Sequence, residues 1–298
     1  MSASNTKRIA KNTLMLYFRQ ILIMLVSLYT VRLVLEILGV EDYGIYNVVA
    51  GVVTMFSFLS GSMATASQRY FSFDLGKKDI ERLGITFNVT FQIYVLLIII
   101  ILFFSETVGL WFINYKLVIP YERLLAANVI YQCALFSFMM TLITTPYMAC
   151  MIAHERMNAY AYVSIVEVIL KLTIVFLLTV LNYDKLILYG VLLSIVAIIN
   201  TSLYRIYCLK YFSECKLKLV KDQKLFKEII SYSGWNLFGS TATIIKNQSI
   251  SFIMNIFFGP IMNAANGIAH QIRSAISTFS NNFSLAVRPH IIKTYANE

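Results

Sequence analysis

Eight apolar stretches of about 20 residues or more, each nearly free of charge, dominate this chain and limit what it can fold into. They centre on residues 12–38, 44–68, 85–105, 124–150, 160–181, 186–208, 234–258 and 263–287. No single soluble core could bury them all, so lipid must receive their surfaces. Hydrocarbon offers the backbone no hydrogen-bond partner, which leaves helices or a closed barrel as spanning structures. The runs are long, rich in Leu, Ile and Phe, and lack the ten-residue alternation of barrel strands, so they read as helices. The mean hydropathy of +0.70 and a charged fraction of 13% agree. The expected fold class is all-α: a polytopic membrane bundle of about eight transmembrane helices. Lys7, Arg8 and Lys11 precede a first run too long for a signal peptide and without a small-residue cleavage site, so it stays as a helix.

The formal net charge of +10 suggests topology before it suggests nucleic acid, because the charge lies in short connections. Seventeen basic residues, from Lys7 to Lys293, fall in the termini and loops that share one side. Lys116, Arg123 and Lys185 occupy the other. The positive-inside rule then puts both termini in the cytoplasm, with no nucleic-acid partner. Cys133, Cys150, Cys208 and Cys215 form no CxxC pair, and His154, His270 and His290 stand far apart. Neither a zinc site nor a disulfide framework is indicated, and no cofactor is implied.

Most of the cytoplasmic charge lies between about 209 and 230, dividing six spans from two. The expected organisation is a six-helix lobe over 1–209, a basic amphipathic linker over 210–233, and the first two helices of a second lobe over 234–298. An offset of 220 residues lays Gly39 on Gly259, Thr54 on Ser274, Ser57 on Ser277 and Ser60 on Ser280. Six is an even number of spans, so this repeat keeps its orientation and relates the lobes by an axis along the membrane normal. A complete second lobe needs four further spans.

Span eight carries a polar stripe at helical spacing: Asn263, Asn266, His270, Ser274, Ser277, Asn281, Ser284 and Arg288. Span seven repeats it with Asn236, Ser240, Thr243, Asn247 and Ser251, and span two with Ala50, Thr54, Ser57, Gly61, Ala64 and Gln68. Interhelical hydrogen bonding accounts for such faces in ordinary bundles; a shared hydrated cavity accounts for three of them together. Five basic residues lie within spans, Arg19, Arg32, Lys171, Lys246 and Arg273, against Glu36 and Glu167. Lys171 can pair with Glu167, and Arg32 with Glu36, at one helical turn. Arg19, Lys246 and Arg273 have no acid within a turn, and Arg19 shares a face with Asn12 and Thr30. A central Arg or Lys costs about 2.5–3.5 kcal/mol to insert, so the excess positive charge points to a cavity for an anion rather than to interfacial snorkelling. The expected substrate-binding set is Arg19, Lys246, Arg273, Asn247, His270, Ser274, Ser277, Asn281, Thr54 and Gln68.

The stretches SLYTVRLVLEILGVEDYGIYNVVAGVV (27–53), ATASQRYFSFDLGKKD (64–79) and FGPIMNAANGIAHQIRSAISTFSNNFSLAVRPHI (258–291) resemble the Wzx-type polysaccharide flippases of the multidrug/oligosaccharidyl-lipid/polysaccharide exporter superfamily. The resemblance implies two six-helix lobes around a cavity opening alternately to each side. It also implies a polyprenyl-pyrophosphate-linked oligosaccharide as substrate, moved across the bacterial cytoplasmic membrane for O-antigen, capsule or exopolysaccharide assembly. Membrane lipid, and a surface-glycan polymerase or glycosyltransferases, follow as partners, and no catalysis is implied. Against that family the eight spans read as an N-terminal portion. Two rivals stand beside this reading. One is a membrane glycosyltransferase using Glu41 and Asp42 as its acidic pair, although capping of span two accounts for Asp42 more simply. The other is a cation-coupled drug exporter, which would want buried carboxylates.

Overall fold

The computed structural model describes residues 3–117 and 119–297. The side chains of residues 3–9, 58, 240, 241 and 243–275 lie outside that description. Among the described residues every regular element is helical. The long helices are α1 (Ala3–Thr54), α2 (Ser57–Gly76), α3 (Ile80–Phe104), α5 (Leu124–Ala153), α6 (Met157–Val180), α7 (Lys185–Tyr211) and α8 (Gln223–Asn297), with a short α4 (Leu110–Tyr115). Five stretches are long and apolar enough to cross a membrane: Ala10–Thr54, Ile80–Tyr115, Tyr121–Ala153, Met157–Val180 and Lys185–Tyr211. The chain is a multi-pass membrane bundle.

Two of the helices contain reversals. In α1 the backbone leaves helical geometry at Gly39, with φ 79° and ψ 168°, a region that only glycine enters cheaply. Leu16, before the break, packs on Ile152 at the far end of α5 and on Met157 at the start of α6. Asp42, after the break, pairs with Arg123 at the near end. Phe71 of α2 returns to the far end against Tyr147 and Cys150. Gly39 is therefore the turn between spans one and two, and span two consists of the second arm of α1 plus α2, interrupted at Met55–Phe56. In α8 the Ser233 carbonyl accepts a 3.0 Å bond from Ser62 Oγ, while Lys293 and Ala296 lie against Gly76 at the end of the same helix α2. A straight helix would separate Ser233 from Lys293 by about 90 Å, and α2 is only about 30 Å long. The chain must double back between them, as two successive spans require.

Local chemistry sets the other boundaries. Asp79 caps α3 by accepting a 2.8 Å bond from Arg82 N–H, and Asp184 caps α7 through Leu186 and Ile187 N–H at 3.1 Å. Asp222 likewise accepts from Leu225 N–H at 2.9 Å, starting α8 inside the stretch expected to be a linker. Between α3 and α4 the ladder widens to a π-turn over Ser105–Gly109. The main core joins Val34, Leu38 and Val49 of α1 to Ile93 and Tyr94 of α3 and to Ile130, Leu135 and Leu142 of α5. Outward faces stay apolar, and aromatic groups ring both ends: Trp111, Tyr115, Tyr121 and Tyr183 at one, Tyr162, Tyr211 and Tyr295 at the other.

At the Gly39 end Arg123 bridges two carboxylates, Asp42 at 2.6 Å and Asp184. Asp42 thus serves an ion pair rather than a helix cap. Burial pushes the Asp184 carboxyl up, but the Ile187 N–H, Arg123 and the Leu186 N–H outweigh it and hold it below the usual carboxylate range. A carboxylate held below its unfolded value contributes stability above that value, about pH 3.9, and loses it as pH falls through the folded one. Replacing Arg123 by Ala should cost about 1–2 kcal/mol, discounted because Arg123 and Asp184 are each a third exposed. Thermal melts of the detergent-solubilised protein at pH 7 should show the loss, and the difference from the parent should shrink below about pH 4. A difference constant down to pH 3 would remove the ion-pair account.

Candidate functional site

A cavity of about 430 Å³ opens between α1, α2, α5, α6 and α7. A second, of about 260 Å³, shares Thr141, Thr144, Glu167, Lys171 and Asn200 with it, so the two adjoin. The lining is a belt of hydroxyls and amides inside an apolar bundle. Thr141 and Thr144 on α5 and Asn200 on α7 face it because each is one or two turns from the next on its helix or across the α5–α7 contact. Thr144 Oγ1 and Thr201 Oγ1 lie 2.8 Å apart, and Ser194 donates to Cys133 O at 3.1 Å. Gly190 permits this closeness, since a Cβ there would come within 2.7 Å of Ile130 Cδ1.

Arg19 sits on the wall of the larger cavity, 8% exposed. Its Nη1 donates to Ser164 Oγ at 3.3 Å, its Nη2 to Asn282 Oδ1 at 3.4 Å, and its guanidinium lies 4.6 Å from the Tyr160 ring centre. Both bonds are long and Nε has no partner. Among the described residues no carboxylate lies within ion-pair distance of this cation. Thr30 Oγ1 and Asn200 Oδ1, also on the wall, are buried without partners. A buried positive group with spare donors beside orphaned polar atoms is what a site for a polar, anionic ligand requires.

Lys171 instead pairs with Glu167 at 2.6 Å, one turn apart, and Glu167 also accepts from Asn200 at 3.1 Å. The other pair expected at helical spacing does not form: Arg32 and Glu36 are both exposed, and neither joins an ion pair among the described residues.

The expected site residues fall in different places. Arg19 lines the larger cavity, and Thr54 lines the smaller while bonding Gly51 O at 2.9 Å. Gln68 is buried on α2 and lines neither cavity. Ser277 and Asn281 are exposed on α8 and line neither cavity. Lys246, Asn247, His270, Arg273 and Ser274 lie outside the described residues. The stripe reading therefore missed Asn282, which is buried with Ala286 and Pro289 on the face packed against α1 and the α5–α6 turn. Its signal was present, since positions 282, 286 and 289 are spaced i, i+4, i+7, but Pro and Ala carry no polarity to mark them. Ser164, Thr144 and Asn200 were missed because each is a lone polar residue in an apolar run.

A separate cluster gathers Cys150, Cys208, Cys215, His154 and Glu214 at the opposite end from Gly39. Its contact with the Cys150 sulfur holds the Cys215 thiol below the usual thiol range. Burial pushes the Glu214 carboxyl up, but bonds from His154 and from its own backbone outweigh it and leave it below the usual range.

Comparison with known proteins fits this architecture. The bundle superposes on an outward-facing multidrug resistance MATE family transporter of the MOP superfamily with a TM-score of 0.74 at 14% identity. That match covers 98% of this chain and 65% of the other. It also superposes on a MOP superfamily transporter from Pyrococcus furiosus, described as having a binding pocket of reverse polarity, with a TM-score of 0.73, 14% identity, and 98% and 65% coverage. The fold is that of MOP-superfamily transporters, and the chain spans about 65% of the length of these two. No curated protein matches the sequence. The family model for polysaccharide biosynthesis proteins matches residues 9–294, nearly the whole chain, and the protein belongs to that family.

Proposed function

We propose that this chain forms the first lobe, and the beginning of the second, of a flippase that moves a polyprenyl-pyrophosphate-linked oligosaccharide across the cytoplasmic membrane. Arg19 is the observation that carries this reading: a buried guanidinium on a polar cavity wall, with no carboxylate in ion-pair distance among the described residues. A pyrophosphate supplies the missing negative charge and the acceptors for its spare donors. Sugars suit the hydroxyl and amide belt of Thr30, Thr141, Thr144 and Asn200, and the prenyl tail remains in lipid. The charge asymmetry of the loops puts the termini on the cytoplasmic side. Arg19 binds Ser164 of the first lobe and Asn282 of α8 at once. A ligand drawing its guanidinium inward loosens that link, coupling occupancy to rocking of one lobe against the other.

The rival readings have less support. A drug exporter for cations wants an unpaired carboxylate in the cavity, whereas Glu167 is held by Lys171 and Asn200. A glycosyltransferase using Glu41 and Asp42 would need Asp42 available, and Arg123 engages it.

Replacing Arg19, Lys246 and Arg273 together by Gln, in the gene that carries this chain, should abolish surface-glycan export in a strain dependent on it. Radiolabelled lipid-linked glycan should accumulate on the inner leaflet. Unchanged export at normal protein level would dismiss the anion-site reading.

A further inference from the structure

The cysteine cluster plays no part in the proposed transport, and its chemistry is specific. Three segments converge on it. The last turn of α5 carries Cys150, and the tight turn after it, with Glu155 at φ 59°, presents His154. The short 3-10 helix Ser213–Cys215, following α7, brings in Glu214 and Cys215. Cys150 and Cys215 are fully buried, and Glu214 is only 7% exposed.

Three of the donor atoms lie close enough to share one ion, and the Cys215 sulfur stands beside the first of them. Cys150 Sγ lies 3.5 Å from Cys215 Sγ and 4.0 Å from Glu214 Oε1, and His154 Nε2 lies 2.5 Å from the same oxygen. The donors of Cys150, His154 and Glu214 all fall within 4.8 Å of one another. A zinc ion with bonds of about 2.3 Å to sulfur and about 2.0–2.1 Å to nitrogen or oxygen has donor-to-donor edges of roughly 3.3–3.8 Å. The Phe212 ring stacks on the imidazole of His154 at 4.0 Å and 10°, fixing its plane. Cys208 is engaged elsewhere, its Sγ donating to Tyr147 O at 3.4 Å, which leaves Cys150 and Cys215 as the sulfur donors. Two sulfurs, an imidazole and a carboxylate select a borderline-soft cation and exclude magnesium or calcium, which want oxygen alone. Buried thiols also occur as small apolar groups in ordinary cores. The ion pair of His154 with Glu214 accounts for those two groups meeting each other, but not for the Cys150 sulfur lying 4.0 Å from the same carboxylate oxygen with a second thiol beside it.

We propose that Cys150, His154, Glu214 and Cys215 bind a single Zn²⁺ ion. On binding, the two thiols give their protons to solvent and the imidazole binds in its neutral form. The ion ties the α5–α6 turn to the connection that leads into α8. It would fasten the first lobe at the point from which the second departs.

Cobalt titration of the tag-free, reduced chain in detergent tests this without any transport assay. The expected result is about one Co²⁺ per chain, with tetrahedral visible bands and a thiolate-to-metal charge-transfer band, all displaced by Zn²⁺. C150S/C215S should weaken binding at least about 100-fold and H154A at least about 10-fold, by comparison with the losses that outer-shell changes alone produce. C133S, at a cysteine outside the cluster, should leave metal affinity unchanged. Absence of the charge-transfer band in the parent protein overturns the proposal even if the double variant does not fold. So does equal affinity in H154A, or a Cys150–Cys215 disulfide forming in air in a chain that takes up no metal when reduced.

Discussion

Arg19→Met is expected to lower glycan export about 10- to 100-fold while leaving the bundle as stable as before, or slightly more so. The two effects separate because the structure gives Arg19 little to do in the fold. Its two bonds are 3.3 and 3.4 Å long, it has no carboxylate partner among the described residues, and its Nε is orphaned. A cation placed this way carries a desolvation penalty, which a methionine of similar length removes while keeping the contact with Tyr160. A charge-assisted bond to a phosphate is worth about 1.5–3 kcal/mol, or about one to two decades in affinity at 1.4 kcal/mol each. Arg19→Lys should recover part of the loss, since it keeps the charge without the planar fork. Export per protein molecule and the melting temperature in detergent check the claim together. A variant that melts well below the parent would make Arg19 a structural residue, and one that exports normally would remove it from the site.

Gly109→Ala should be the most destabilising single methyl in the described chain, at about 3 kcal/mol or more. The π-turn over Ser105–Gly109 shifts the ladder by one residue, so that Ser105 O is reached from Leu110 N–H and from Tyr131 Oη at 2.8 Å. Tyr131 is fully buried, and its hydroxyl occupies the space a side chain at 109 would take: a Cβ there would stand 2.0 Å from Oη. Neither group can retreat without exposing a buried polar atom or emptying part of the α3–α5 contact. Tyr131→Phe should cost only about 0.5–1.5 kcal/mol, because Ser105 O keeps its backbone donor. Comparing the two melts identifies the clash, and equal losses would assign the effect to the hydrogen bond alone.

Sequence alone determined the class of this protein, because hydrophobic runs of membrane length admit few structures and the alternation of basic loops orders them. The membrane-length helices of the bundle were legible on these grounds, including the first hairpin, whose helix runs on through the Gly39 turn. The Glu167–Lys171 pair was legible for a similar reason, since one helical turn fixes the separation of both partners. Tertiary structure decided which polar residues meet. The face of α8 that packs on α1 and the α5–α6 turn is set by Asn282, Ala286 and Pro289, not by the more conspicuous stripe through Ser277 and Asn281, which is exposed. Arg32 and Glu36 have the spacing of a pair and do not form one. Asp42 meets Arg123 across 81 residues, and Cys150 meets Cys215 across 65. Periodicity reports how residues lie around one helix axis, whereas a cavity or a ligand cluster depends on how several axes cross, and in this bundle lone residues such as Ser164, Asn200 and Glu214 mark those crossings.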